Sequence, residues 1–127
     1  MDCRCAFIVQ VSLMDEDQVF DFIDEIGIEA GITDDRLYFG LSKKDTSDDF
    51  ILSDFIHESL ALVINKADKL NELRGKYKCS YILDVKFSNI EEEIENNQQF
   101  IVDDEIKSFL EKTDTYYNLN DGYFDEV

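Results

Sequence analysis

The sequence predicts an α+β sandwich: a single domain over residues 1–127, with a mostly antiparallel sheet and helices packed on one face. Three observations lead there. Cys3 to Leu13 and Cys79 to Phe87 alternate in character with period two, as strands do. Three other stretches place apolar residues at helical spacing, with acids opposite them. The order in which these occur, β-α-β-β-α-β-α-β, separates strands by helices and by one hairpin, which sends the helices to one side of the sheet.

In the first strand Cys3, Cys5, Phe7, Val9, Val11 and Leu13 alternate with Arg4, Ala6, Ile8, Gln10 and Ser12. One face is apolar and the other partly so, the pattern of a central strand. Asp15 followed by Gln18 forms a capping-box pattern and opens a helix over about 15–26. Val19, Phe22, Ile23 and Ile26 share its inner face, Asp17, Asp21, Asp24 and Glu25 the opposite one, and Gly27 supplies the C-terminal cap. Arg36 to Leu41 reads as a short strand with Leu37, Phe39 and Leu41 on one side. Lys43 to Asp49 is expected to be a turn, and Phe50 to Leu52 the second strand of the hairpin. A long helix is expected over about Asp54 to Arg74, carrying Ile56, Leu60, Val63, Ile64, Ala67 and Leu70 and ending at Gly75.

Cys79, Tyr81, Leu83, Val85 and Phe87 alternate with Ser80, Ile82, Asp84 and Lys86, the clearest strand of the chain. Asn89 to Gln99, with Glu91, Glu92, Glu93 and Glu95, is a polar acidic connection. The third helix spans about Asp103 to Lys112, capped by Asp103 and burying Ile106, Phe109 and Leu110. Thr115 to Leu119 closes the sheet. Asn120-Asp121-Gly122 is a turn signal ahead of Tyr123 and Phe124.

The charge pattern is uneven. The net charge is -18 over 127 residues, against a magnitude of ~2–8 for an ordinary small domain. Residues 1–42 hold a net of -8, residues 43–88 balance, and residues 89–127 hold -10. With 44% hydrophobic and 13% aromatic residues the chain can still bury a core, so its acidity does not imply disorder. Such a field steers cationic partners and repels nucleic acid and anionic membranes. The start lacks a basic, cleavable leader, no apolar run approaches the ~18 residues of a membrane span, and three cysteines fit a reducing compartment. A cytoplasmic protein with no membrane partner is expected.

No constellation points to catalysis. His57, the single histidine, has Ser59 two residues on and pointing elsewhere, so a surface histidine is expected. Cys3, Cys5 and Cys79 with His57 have the donor types of a zinc site, but all three cysteines match the inward phase of their strands. They are therefore read as core residues, with no metal or cofactor. A calcium loop over Asn118 to Glu126 would place Tyr117 and Leu119 where oxygen ligands are needed. Gly27-x-x-x-Gly31 lacks the Lys-Ser/Thr of a phosphate loop. The C-terminal segment differs, because it sets Tyr116, Tyr117, Tyr123 and Phe124 beside Asp121, Asp125 and Glu126. Aromatics beside charge are the composition of interface hot spots, whereas the plainer reading is an edge hairpin.

The element order and its residues resemble a bacterial family, the domain of unknown function 4279. The likeness lies in Cys5-Ala6-Phe7-Ile8-Val9 before an acid-rich helix ending at Ile26-Gly27-Ile28, and in the helix from His57 to Leu73 running into Cys79 to Phe87. It continues through Phe100 to Phe109 and Thr115-Tyr116-Tyr117. Glu29, Ala30 and the Tyr38-Phe39 pair stand where members usually carry a proline and a tryptophan. The resemblance implies no catalytic residues. Small acidic domains of this kind are similar to those encoded beside toxins, which implies an immunity protein.

The expected function is therefore an acidic, non-enzymatic binding protein that neutralises a basic partner, most simply a cognate nuclease-type toxin. The expected contact residues are Asp17, Asp21, Asp24 and Glu25 on the first helix, and Tyr116, Asp121, Tyr123, Asp125 and Glu126 at the C-terminus. The C-terminal set is favoured because it adds aromatic anchors. Two alternatives stand beside it: a nucleic-acid mimic that blocks a DNA-binding enzyme, and a small ligand-binding domain or enzyme using the open face of the sheet. We expect no direct binding of duplex or single-stranded DNA near physiological salt, because the protein's field repels phosphate. A mobility shift at micromolar protein would remove the charge-based reading of the partner.

Overall fold

The computed structural model describes residues 2–45, 50–87 and 101–120. Its elements are β1 (Asp2–Gln10), α1 (Glu16–Ile26), β2 (Gly31–Ile32), β3 (Arg36–Asp45), α2 (Leu52–Leu60), a 3-10 turn (Ile64–Lys66), α3 (Ala67–Lys76), β4 (Ser80–Phe87), α4 (Asp104–Lys112) and β5 (Tyr116–Asn120). The sheet order is β2-β3-β1-β4-β5. β1 pairs antiparallel with both β3 and β4, β2 pairs antiparallel with β3, and β5 lies parallel to β4. This is an α+β fold with a mostly antiparallel sheet.

The inward residues of the strands (Cys3, Cys5, Phe7 and Val9; Leu37 and Phe39; Tyr81, Leu83, Val85 and Phe87) form one buried cluster with Phe22 and Ile26 of α1, Phe55, Ile56 and Leu60 of α2, Leu70 and Leu73 of α3, and Ile106 and Phe109 of α4. Phe7 is central to it, 5.5 Å from the ring of Tyr81 and 5.9 Å from that of Phe109. The Tyr81 hydroxyl donates to the Leu70 carbonyl at 2.6 Å, so this large side chain buries its polar atom with a partner.

Several expectations need correction. The hairpin partner of β3 is β2, not Phe50 to Leu52. Leu52 opens α2, and the buried ring of Phe50 packs on Phe55 at 5.8 Å. A short apolar run has no periodicity of its own, and burial against a helix suits it as well as pairing. The charged stretch after Leu41 is not all turn, because β3 continues to Asp45 in register with β1 as far as Asp2; residues 46–49 lie outside the described residues. The long helix is broken after Leu60. Val63 N–H donates to Leu60 and Lys66 N–H to Val63, tighter turns that re-aim the chain before α3, and Gly75 lies inside α3. Cys79 immediately precedes β4 and is only half-buried. The acidic connection Asn89 to Gln99 and the turn at Asp121-Gly122 with Tyr123 and Phe124 lie outside the described residues.

A bulge shapes β3. Cys5 faces Ser42 and Phe7 faces Phe39, so Ala6 alone opposes Gly40 and Leu41. The extra residue reverses the phase, leaving Leu37 and Phe39 in the core while Leu41 is 60% exposed. Gly40 has φ +63°, and a Cβ there would lie 1.9 Å from the carbonyl oxygen of Ser59. Only glycine lets the end of α2 sit this close to the sheet. At Gly27, φ is +72° but a Cβ would meet nothing within 4 Å. Gly40→Ala is therefore expected to cost at least ~2 kcal/mol of stability, and Gly27→Ala about 1 kcal/mol, as read from urea-denaturation midpoints. Equal costs would overturn the close-approach reading of Gly40.

Candidate binding surface

The face of α1 turned from the core carries three exposed aspartates, Asp17, Asp21 and Asp24. Asp15 caps the helix as predicted: its Oδ1 accepts from Gln18 N–H at 2.9 Å, while its own N–H donates to Gln18 Oε1 at 3.1 Å. Glu16 and Asp17 in the first turn complement the helix dipole. At the other end Gly27 N–H donates to the Ile23 carbonyl. Phe22 and Ile26 are buried, and Val19 and Ile23 pack against the core from its edge.

Asp17, Asp21 and Asp24 are exposed, and none has an ion-pair partner among the described residues. The structure sets Glu25 apart from them. Its carboxylate turns towards α3, accepting from Tyr77 Oη at 2.7 Å and Lys76 Nζ at 3.0 Å, with Lys69 Nζ at 3.9 Å. The Tyr77 and Lys76 hydrogen bonds outweigh burial and hold Glu25 below the usual glutamate range. Glu25 thus ties α1 to α3, next to the edge-on contact of Phe22 with Tyr77 at 6.2 Å.

Phe20 is the residue that sequence reasoning missed. It is 51% exposed, and the spacing 17-20-21-24 puts it on one helix face with the three aspartates. That spacing was the available signal, since Phe20 falls outside the inner stripe of Val19, Phe22, Ile23 and Ile26. An aromatic anchor is therefore present on α1, and the C-terminus is not distinguished by having one.

At the C-terminus, Tyr116 is 66% exposed at the start of the edge strand β5. Asp121, Tyr123, Asp125 and Glu126 lie outside the described residues. Tyr117 points the other way, half-buried, with its hydroxyl hidden from solvent and its phenol pKa raised mainly by burial. The charge balance of residues 43–88 includes pairing on α3: Lys69 with Glu72 at 3.6 Å and Asp68 with Lys112 of α4 at 3.1 Å.

His57 is not a free surface residue. It is half-buried on α2, and its Nε2 lies 2.7 Å from Oδ2 of Asp103, the cap of α4. Burial pushes the Asp103 carboxyl up, but Ile106 N–H and the His57 ring outweigh it and hold Asp103 below the usual range. Ser53 completes the clamp, donating to the Ile101 carbonyl at 2.8 Å and accepting from Asp103 N–H at 2.9 Å. Cys3 and Cys5 are buried, and burial pushes the Cys5 thiol up to about 12. No group of three or more metal-ligating side chains occurs among the described residues, and none of their helices is long and apolar enough to cross a membrane.

No family model matches the chain, and no curated protein or solved structure matches it.

Glu25 makes a pH prediction. Its folded pKa is lowered, so its contribution to stability is present above the unfolded pKa and is lost as pH falls through the folded one. Glu25→Gln should lower the urea midpoint at neutral pH and flatten the fall in stability on acidification. Parallel pH profiles for the two proteins would contradict this linkage.

Proposed function

We propose that this chain is an acidic binding protein that neutralises a basic protein, in the manner of an immunity protein that blocks a nuclease-type toxin, with the outer face of α1 as its contact. The observation that supports this is the unpaired ridge of Asp17, Asp21 and Asp24 around the exposed ring of Phe20. Carboxylates without ion-pair partners among the described residues are available to lysine and arginine side chains that would otherwise hold phosphate, and occupying those side chains blocks the cleft they line. The charges speed encounter, and an aromatic side chain desolvated at the centre slows dissociation. Glu25 contributes to the frame behind the ridge rather than to the contact.

The experiment begins with capture from the native host, using the wild-type chain and a variant with Asp17, Asp21 and Asp24 changed to lysine. A basic protein retained by the first and lost by the second is then measured kinetically. The triple reversal should lower the association rate by about tenfold or more at low salt and flatten its salt dependence. Phe20→Ala should raise the dissociation rate about tenfold, whereas Asp68→Lys on α3 should change neither rate. Unaltered kinetics in the ridge variants would move the contact away from α1. An acidic partner would sink the proposal altogether.

A further inference from the structure

Few cations serve this acidic chain, yet a cluster of them lies on the sheet face turned away from the helices. In register across three strands, Lys43 of β3 faces Arg4 of β1, which faces Lys86 of β4. Three of the chain's twelve basic residues thus stand side by side, next to the register pair of Asp2 and Asp45. Lys43 leans on Asp2 at 3.5 Å and Lys86 on Asp84 at 3.7 Å, while Asp84 also accepts from Asn118 Nδ2 at 2.7 Å. Further along the same face, Arg36 stands opposite Gln10 and has no ion pair among the described residues. These cations are not gathered to hold the core, which lies on the other face.

Beside Arg4, Arg36 and Lys86 is a cavity of about 210 Å³, lined by these three cations, by the carboxylate of Asp84 that pairs with Lys86, and by Ile8, Tyr38 and Leu41. Ile8 forms a buried apolar floor, with Tyr38 directly opposite it on β3. Leu41 reaches this face because of the bulge at Gly40. The cavity therefore joins a hydrophobic and aromatic wall to guanidinium and ammonium groups, which favour carboxylate and phosphate oxygens. The field of the remaining chain opposes any anion, so charge alone is a weak reason to bind and the apolar wall must add to it.

We propose that this cavity binds a small organic anion with a flat apolar body, its carboxylate or phosphate held by Arg36 or by the Lys86 row and its body against Tyr38 and Ile8. The inference is independent of the α1 surface, which packs against the opposite face of the sheet.

The test is an NMR titration of the full chain with three probes: 2-naphthoate, adenosine 5′-monophosphate and inorganic phosphate. The expected result is a saturable shift of the Ile8, Tyr38 and Lys86 amides with naphthoate, with the nucleotide, or with both. The responding probe identifies a carboxylate or a phosphate ligand, and inorganic phosphate should bind at least about tenfold more weakly. Changing Arg36 and Lys86 to glutamine should weaken binding by about tenfold or more, with the urea midpoint retained, while Lys107→Gln on α4 should bind as the wild type does. If the double variant does not fold, Arg36→Gln alone carries the same expectation. Absence of shifts with both organic probes, equal binding of inorganic phosphate, or undiminished binding by the folded variant would overturn the proposal.

Discussion

The seat of α2 on the bulged strand is the contact on which the rest of the arrangement depends. Gly40 and Ser59 approach so closely that a single methyl group between them would meet a carbonyl oxygen, and Ser59 Oγ also donates to the Cys5 carbonyl at 3.4 Å. With α2 held there, Ser53 and His57 are positioned to clamp the backbone and side chain of Asp103. That clamp fixes the start of α4, and α4 in turn delivers β5 to the parallel edge of β4. One backbone position in β3 thereby governs a strand on the far side of the sheet. The same bulge decides the character of the opposite face, because it turns Leu41 outward.

Charge is distributed by task. Many of the bases of the middle segment are spent on ion pairs, among them Lys76 and Lys69 to Glu25, which join α3 to α1, and Arg74 to Asp114 just beyond α4; Lys112 of α4 pairs in turn with Asp68 of α3. Each such exposed pair is worth little alone. Together they keep like charges out of the seams between helices, where repulsion from an acidic chain would be most damaging. The aspartates on the outer face of α1 stay outside this system. The sheet face away from the helices sets Arg4, Arg36, Lys43 and Lys86 among Asp2, Asp45 and Asp84, so its charge is nearly balanced where the outer face of α1 is purely acidic.

Elements whose periodicity is strong were legible in the sequence. The alternation of Cys79 to Phe87 and of Cys3 to Leu13 marked two strands, although β1 ends at Gln10, Leu13 is exposed beyond it, and Ala6 and Ile8 are buried on the outer face as well. Helices α1 and α4 carry caps at Asp15 and Asp103 that the structure reproduces. Gly31–Ile32 escaped notice because two residues hold no period. Phe50 to Leu52 misled because apolarity without periodicity does not distinguish pairing from packing. The break after Leu60 left no mark, since no proline or glycine interrupts the spacing of Val63, Ile64 and Ala67. For the candidate surface on α1, Asp17, Asp21 and Asp24 could be placed from helical phase alone. Phase could not show that Glu25 is drawn aside by Tyr77 and Lys76, because both partners are about fifty positions distant along the chain. Phe20 was overlooked because an aromatic residue is expected inside.

The ridge on α1 contains no side chain whose loss would leave a buried group without a partner. Asp17, Phe20, Asp21 and Asp24 meet solvent rather than one another's hydrogen bonds, and the frame beneath them is set by Phe22, Ile26, Gly27 and Glu25. Replacements on the ridge therefore draw on little of the fold's margin of stability. Such a surface is free to change: its charges and its aromatic residue can be exchanged while the scaffold stays the same, so the proposed contact and the fold are separable in sequence.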